Sequence, residues 1–262
     1  RYARVTGVQT CALPIYLTFR PLFDFSSFLD REFLSDCEIH FTDGTDSPIK
    51  CHIAVIANSS KFFLNAFTSS GTDEIRTGVV NINNNIMGLF RRIIDWMYTG
   101  VIQFSEQEIM PLLFLADFYL IDKLKEILMN SLDSNAKNPM KLMQFADQCF
   151  QFQLAEQLKL LEPYFVKLYR SGEMTIQNMS RSLDVISFIN ILGMRDDLNI
   201  KNKVDDMTLF LKDPDTGDNW NLQEDEEEIK ALAKFFNPRD PITLKTLKSY
   251  HLKKPYWFKF LK

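Results

Sequence analysis

From Cys37 to Phe41 apolar and polar residues alternate, with Cys37, Ile39 and Phe41 set against Glu38 and His40. Ile49, Cys51 and Ile53 resume the same period after the Asp43-Gly44 turn signal. A period of two predicts a half-buried hairpin whose strands share one apolar face. Residues 53–57 then form a short apolar helix, interrupted by Asn58, Ser59 and Ser60. These are N-cap residue types, and behind them Phe62, Phe63, Ala66 and Phe67 fall on one helical stripe, so a second helix is predicted.

The period changes again on either side of this stretch. From about Leu22, Phe25, Phe28, Leu29 and Phe33 have approximate helical spacing. Residues 68–73 read as a loop, and Val79, Val80 and Ile82 as a third strand. Asn83, Asn84 and Asn85 offer N-caps for the clearest helical stripe in the chain, Ile86, Leu89, Phe90, Ile93, Ile94 and Met97, and Gly100 stands where a left-handed cap would end it. Ser105 and Glu108 have capping-box spacing, but Pro111 would fall inside the helix they open, which predicts a later start. Leu112, Leu113, Ala116, Leu120 and Leu124 carry the apolar face onward, with a break at 119–122.

A boundary is predicted at 133–139, where polar residues and a proline interrupt the pattern. Three further helical faces follow, Leu142 with Phe145, Ala146 and Cys149, then Leu154 with Leu158 and Leu161, then Val185 with Phe188, Ile189 and Leu192. Pro163 predicts a kink or a restart before Phe165 and Leu168. Beyond Ile200 there is a turn-rich loop at 213–219, an acidic run at 224–228, and a tail from Lys245 that mixes lysines with Tyr256, Trp257, Phe258 and Phe260.

The order Ser35, Asp36, strand, turn, strand ending at His52, helix, Ser60, Phe62, Phe63 resembles the opening of a BTB/POZ domain. The ending Trp96-Met97-Tyr98-Thr99-Gly100 and the triplet Leu115-Ala116-Asp117 are similar to two further signatures of that family. The resemblance covers roughly residues 25–132. It implies an α+β fold, a small mostly antiparallel sheet with surrounding helices, over residues 16–133. The helices at 139–195 then resemble the all-α BACK segment that often follows such a domain, and residues 196–262 have no assigned role. The family signature is carried here by Asp36, His52, Ser60, Phe62, Phe63, Tyr98 and Gly100.

The same resemblance implies what these parts do. The segment before the first strand, with Phe25, Phe28, Leu29 and Phe33, would be a helix packed across a homodimer; a helix packed on its own domain has the same spacing. A cullin-type ubiquitin ligase scaffold would face Phe104, Ile109 and Met110. Cullin-binding relatives carry a hydrophobic-x-acidic motif there, and this chain has Pro111 at the acidic position. Many relatives place a basic residue after the histidine, where it helps form a charged pocket in transcription repressors; this chain has Ile53. The implied function is a protein-interaction adaptor that homodimerises and serves as the substrate-receptor arm of a cullin ligase. The alternative is a structural oligomerisation module or a transcription-associated regulator.

Composition narrows the field further. A chain of 262 residues with 46% apolar side chains can build one large core or two small ones. A net charge of −4 is mild and argues against a dominant nucleic-acid role. Cys11, Cys37, Cys51 and Cys149 form no CxxC framework, and three histidines do not complete a zinc site, so neither metal nor cofactor is expected. Free thiols point to a reducing, intracellular location, cytoplasmic or nuclear. No apolar run approaches a membrane span. Residues 4–15, RVTGVQTCALPI, resemble the in-frame translation of a sequencing-library adapter, which implies that residues 1–15 are an artefact.

His52 invites a catalytic reading, but no GxSxG elbow, Gly-rich phosphate loop or HExxH accompanies it. A structural histidine at the end of the second strand is the expected role, and no enzyme is expected. The acidic run reads as a solvated helix start and the aromatic tail as an amphipathic end, with peptide or nucleic-acid binding as the competing readings.

Overall fold

The computed structural model describes residues 15–18, 24–32, 34–44 and 46–211, with the backbone alone at 15–18 and at 200. Most of the adapter-like stretch, Phe33, the loop at 213–219, the acidic run and the aromatic tail lie outside the described residues. The chain divides into two compact units, residues 1–132 and 133–262.

In the first unit, β1 (Ile15–Thr18) is followed by a segment that forms only one 3-10 turn, Ser26–Phe28. The helix expected there is thus corrected among the described residues: Asp30 and Leu34 have φ of 58° and 68°, which no right-handed helix accommodates. Next come β2 (Cys37–Phe41) and β3 (Ile49–Cys51), the predicted hairpin, paired antiparallel with Cys37 opposite Cys51 and Ile39 opposite Ile49. Gly44 makes the turn at φ 67°, its N–H donating to the Phe41 carbonyl at 3.2 Å. Cys37, Ile39, Phe41, Ile49 and Cys51 are buried while Glu38, His40 and Lys50 stay on the wetter face.

Helices α1 (Ile53–Ser59) and α2 (Lys61–Thr68) follow as expected, with Ser60 between them accepting the Phe63 N–H on its hydroxyl. The short helix α3 (Asp73–Thr77) was not signalled by any apolar period. It delivers β4 (Val79–Ile82), which lies parallel to β2 and completes a sheet of order β3-β2-β4. Parallel pairing needs a long crossover, and the three helices supply it.

The stripe from Ile86 begins as a 3-10 turn, Ile86–Gly88, because Met87 has φ 57°; α4 proper is Phe90–Thr99. Asn85 still acts at its start, its side-chain oxygen accepting the Phe90 N–H at 3.0 Å. Gly100 ends α4 at φ 68°, and its N–H reaches the Trp96 carbonyl at 2.7 Å. The strand β5 (Val101–Phe104) pairs antiparallel with β1.

Ser105 and Glu108 do form the capping box, around a 3-10 turn, Glu106–Glu108, that leads into α5 (Ile109–Phe118). Pro111 is thereby the third residue of α5, among the first N–H positions that have no intrahelical partner in any case. The break at 119–122 precedes α6 (Asp122–Asn135), which carries the chain to the second unit. The core of the first unit is aromatic, with Phe90 and Tyr119 rings 4.6 Å apart and Phe63 and Phe41 each 6.3 Å from Phe90.

The second unit is helical: α7 (Pro139–Gln151), α8 (Ala155–Ser171), α9 (Ile176–Ser182), α10 (Val185–Gly193) and α11 (Ile200–Phe210). Pro163 does not restart α8, because it lies on the exposed side where the carbonyl left unpaired one turn earlier can meet water. Asn138, Thr175, Asp184 and Asn199 cap α7, α9, α10 and α11 through their side chains. Phe188 of α10 stacks on Phe210 of α11 at 4.0 Å.

Candidate functional site

The residues singled out by motif converge where β3 ends and α4 closes. The Tyr98 hydroxyl oxygen accepts the backbone N–H of His52 at 2.7 Å and lies 2.9 Å from His52 Nδ1. The Tyr98 hydroxyl thus meets both the backbone and the near ring nitrogen of His52, leaving Nε2 on the far side of the ring. That nitrogen is buried and has no hydrogen-bond partner. His52 ties strand to helix through Tyr98. Asp36 makes the second tie: its Oδ1 accepts the Ile53 N–H at 2.7 Å and so caps α1 from another element. The absence of a basic side chain at position 53 is therefore matched by a carboxylate engaged with that residue's own backbone.

Ser60 makes the third tie, its hydroxyl donating to the Tyr119 carbonyl at 2.6 Å. Phe63 is fully buried, and Phe62 packs edge-on against Tyr119 at 5.2 Å. Gly100 supplies the left-handed cap that places Tyr98 at the end of α4. These signature residues tie the elements of the first unit together.

The thiols beside them are buried. Burial pushes Cys51 up to about 12, against an opposing hydrogen bond from Tyr98, and burial together with the neighbouring Cys51 pushes Cys37 up as well. In the second unit burial pushes Cys149 up to about 12. All three are free and buried, and burial disfavours the thiolate that a nucleophile needs. Among the described residues no three His, Cys, Asp or Glu side chains are grouped so as to hold a metal ion, and no helix is long and apolar enough to cross a membrane.

What the first unit offers instead is apolar surface. Phe25 and Phe28 are each 41% exposed and Leu34 61%, with Leu29 half-buried beside them. This ledge is attached rather than loose: the Phe25 N–H donates to the Tyr98 carbonyl at 2.9 Å, and the Phe28 ring meets the His52 ring edge-on at 6.0 Å. A second apolar strip lies at the end of α5, where Phe118 and Leu120 are 49% and 43% exposed and Phe114 lies 5.7 Å from Phe118. Ion pairs of Lys61 with Asp122 and Lys125 with Asp117 rim it.

Phe104, Ile109 and Met110, expected to face a scaffold, are 1%, 0% and 0% exposed. Their side chains are core: Phe104 is on the buried face of β5, and Ile109 and Met110 lie in the enclosed first turn of α5, which is apolar around most of its circumference. Neither Phe118 nor Leu120 was singled out as surface from sequence; an unbroken apolar run contains no signal that separates the buried from the exposed members.

A BTB/POZ domain family profile matches residues 25–136. The chain is also 27% identical over 127 residues to the BTB and MATH domain-containing protein 42 of Caenorhabditis elegans. That match spans 46% of this chain and 30% of the relative, so this chain corresponds to under a third of that protein's length.

Proposed function

Residues 25–136 are a BTB/POZ domain, a protein-interaction module, and from that premise we propose that this chain is an adaptor that pairs with a second copy of itself and presents a client to a larger assembly. The observation that carries the pairing is the ledge of Phe25, Phe28 and Leu34: three exposed apolar side chains within ten residues, of which Phe25 and Phe28 are fastened to the Tyr98 and His52 motif pair. Exposed apolar side chains held in place by the fold are candidates for association surfaces. The mechanism is proximity. One surface holds a scaffold, another a client, and linking them raises effective concentration with no covalent step on this chain.

We assign the scaffold arm to a cullin-type ubiquitin ligase. The scaffold would engage surface other than Phe104, Ile109 and Met110, which are enclosed, and would do so without the acidic residue that Pro111 replaces. Retention of the purified chain on an immobilised cullin supports this arm, and no retention at micromolar concentration removes it, leaving a structural oligomerisation module. The transcription-repressor alternative is disfavoured by Ile53 and by the engagement of Asp36 with its N–H. The working location is intracellular, cytoplasmic or nuclear.

A further inference from the structure

Asp30 sits at φ 58°, between the ledge and the body of the domain. Its backbone N–H donates to the Lys50 carbonyl at 3.2 Å, and its Oδ1 accepts the Lys50 N–H at 3.2 Å. Those are the two outward backbone groups at the centre of β3, which is an edge strand of the sheet. One residue thus occupies the place another strand would take, and the edge is closed. Its other oxygen, Oδ2, pairs with the Arg91 guanidinium of α4 at 2.5 Å, and Arg91 Nε lies 3.6 Å from Asp95. Glu32, two residues on, lies 3.5 Å from the Lys50 ammonium.

We propose that Asp30 is the positioning residue of the self-pairing surface: a clasp between the β3 edge and Arg91 that holds Phe25 and Phe28 in one exposed arrangement before the second copy arrives. This rests on the pairing reading given above. The physical argument is pre-organisation. A ledge that must order on association loses part of its affinity to the entropy of ordering, and one fixed in advance does not. The left-handed backbone at Asp30 turns the chain so that the carboxylate faces Lys50 and Arg91 while the phenylalanines before it remain in solvent. Asn accepts the same conformation and keeps an Oδ1 acceptor for the Lys50 N–H, so Asp30→Asn removes the charge pairing and little else.

The test uses the full chain in sedimentation equilibrium, comparing wild type with Asp30→Asn, Arg91→Gln and the double variant. Each single variant is expected to raise the dimer Kd about tenfold, and the double variant no further than Arg91→Gln. The pair of Asp30 with Arg91 is the contact both variants break, and Arg91→Gln alone also loses Asp95. Hydrogen exchange in peptides covering 24–32 is expected to quicken in the same variants, with thermal midpoints little changed. A wild-type dimer whose Kd ignores both substitutions overturns the role of Asp30 and leaves the pairing standing. A wild-type chain that is monomeric at every concentration overturns the pairing and the role of Asp30 in it. Should Asp30→Asn not fold, Arg91→Gln carries the test alone, because it alters no backbone partner.

Discussion

The Tyr98 hydroxyl and the backbone N–H of His52, 46 positions apart in sequence, are joined at 2.7 Å. This bond fastens the end of β3 and the start of α1 to the end of α4. Replacing Tyr98 by Phe keeps the ring and removes its only polar atom, leaving the part-buried His52 N–H and Nδ1 without their shared partner. The expected cost is about 1–3 kcal/mol, the penalty for an unsatisfied buried donor. Urea denaturation followed by circular dichroism measures it, and an unchanged midpoint would refute the structural role given to the pair.

Asp36 has a separable effect. Asp36→Ala removes the cap on α1 and is expected to cost about 1 kcal/mol, whereas Asp36→Asn, which retains the acceptor, should recover most of it. Were the carboxylate's charge the important property, Asn and Ala would be equally damaging in the same denaturation experiment.

Acid carboxylates in the second unit set a pH dependence. Burial raises Glu162, against the opposing hydrogen bond from Asn190 on α10. Asp206 is also raised by burial. A folded state that holds a proton more tightly than the unfolded chain is favoured below the unfolded value and loses that advantage as pH rises through the folded one. Stability from these two groups therefore declines as pH climbs above about 4, the ordinary carboxylate range. Asp197 acts oppositely: hydrogen bonds from Arg195 hold it down to about 2, so its contribution is present above the ordinary carboxylate range and is lost as pH falls from there through about 2. Glu162→Gln is expected to gain on wild type at pH 7 and to converge with it near pH 4 in parallel denaturation series. A gap that stays constant with pH would show that Glu162 titrates normally.

Much of this fold was legible in sequence where a local rule and the tertiary outcome agree. The hairpin is one case, since the alternation at Cys37, Ile39 and Phe41 and the Asp43-Gly44 turn both survive into the structure. Ser60 is another, its capping role readable from residue type alone. Helix α9 was not legible, because Gln177, Asn178, Ser180 and Arg181 carry no apolar period; burial of Ile176 and Met179 and the Thr175 cap hold it in place. Asp30 was invisible for a different reason: its partners Lys50 and Arg91 are 20 and 61 positions away, and only the left-handed backbone at 30 brings them together. The expected helix across Phe25, Phe28 and Leu29 failed on that same backbone, while Phe25 and Phe28, two of the residues that prompted it, are left exposed.

The most direct test of the account is the mass of the purified chain in solution across a concentration series, for wild type and for Phe25→Glu with Phe28→Glu. Two like charges on each ledge would face their counterparts in a pair, so the variant is expected to remain monomeric at concentrations where wild type is dimeric, with its circular dichroism unchanged. A wild-type mass equal to one chain at every concentration, or a variant that dimerises as wild type does, would contradict the claim that this ledge joins two copies.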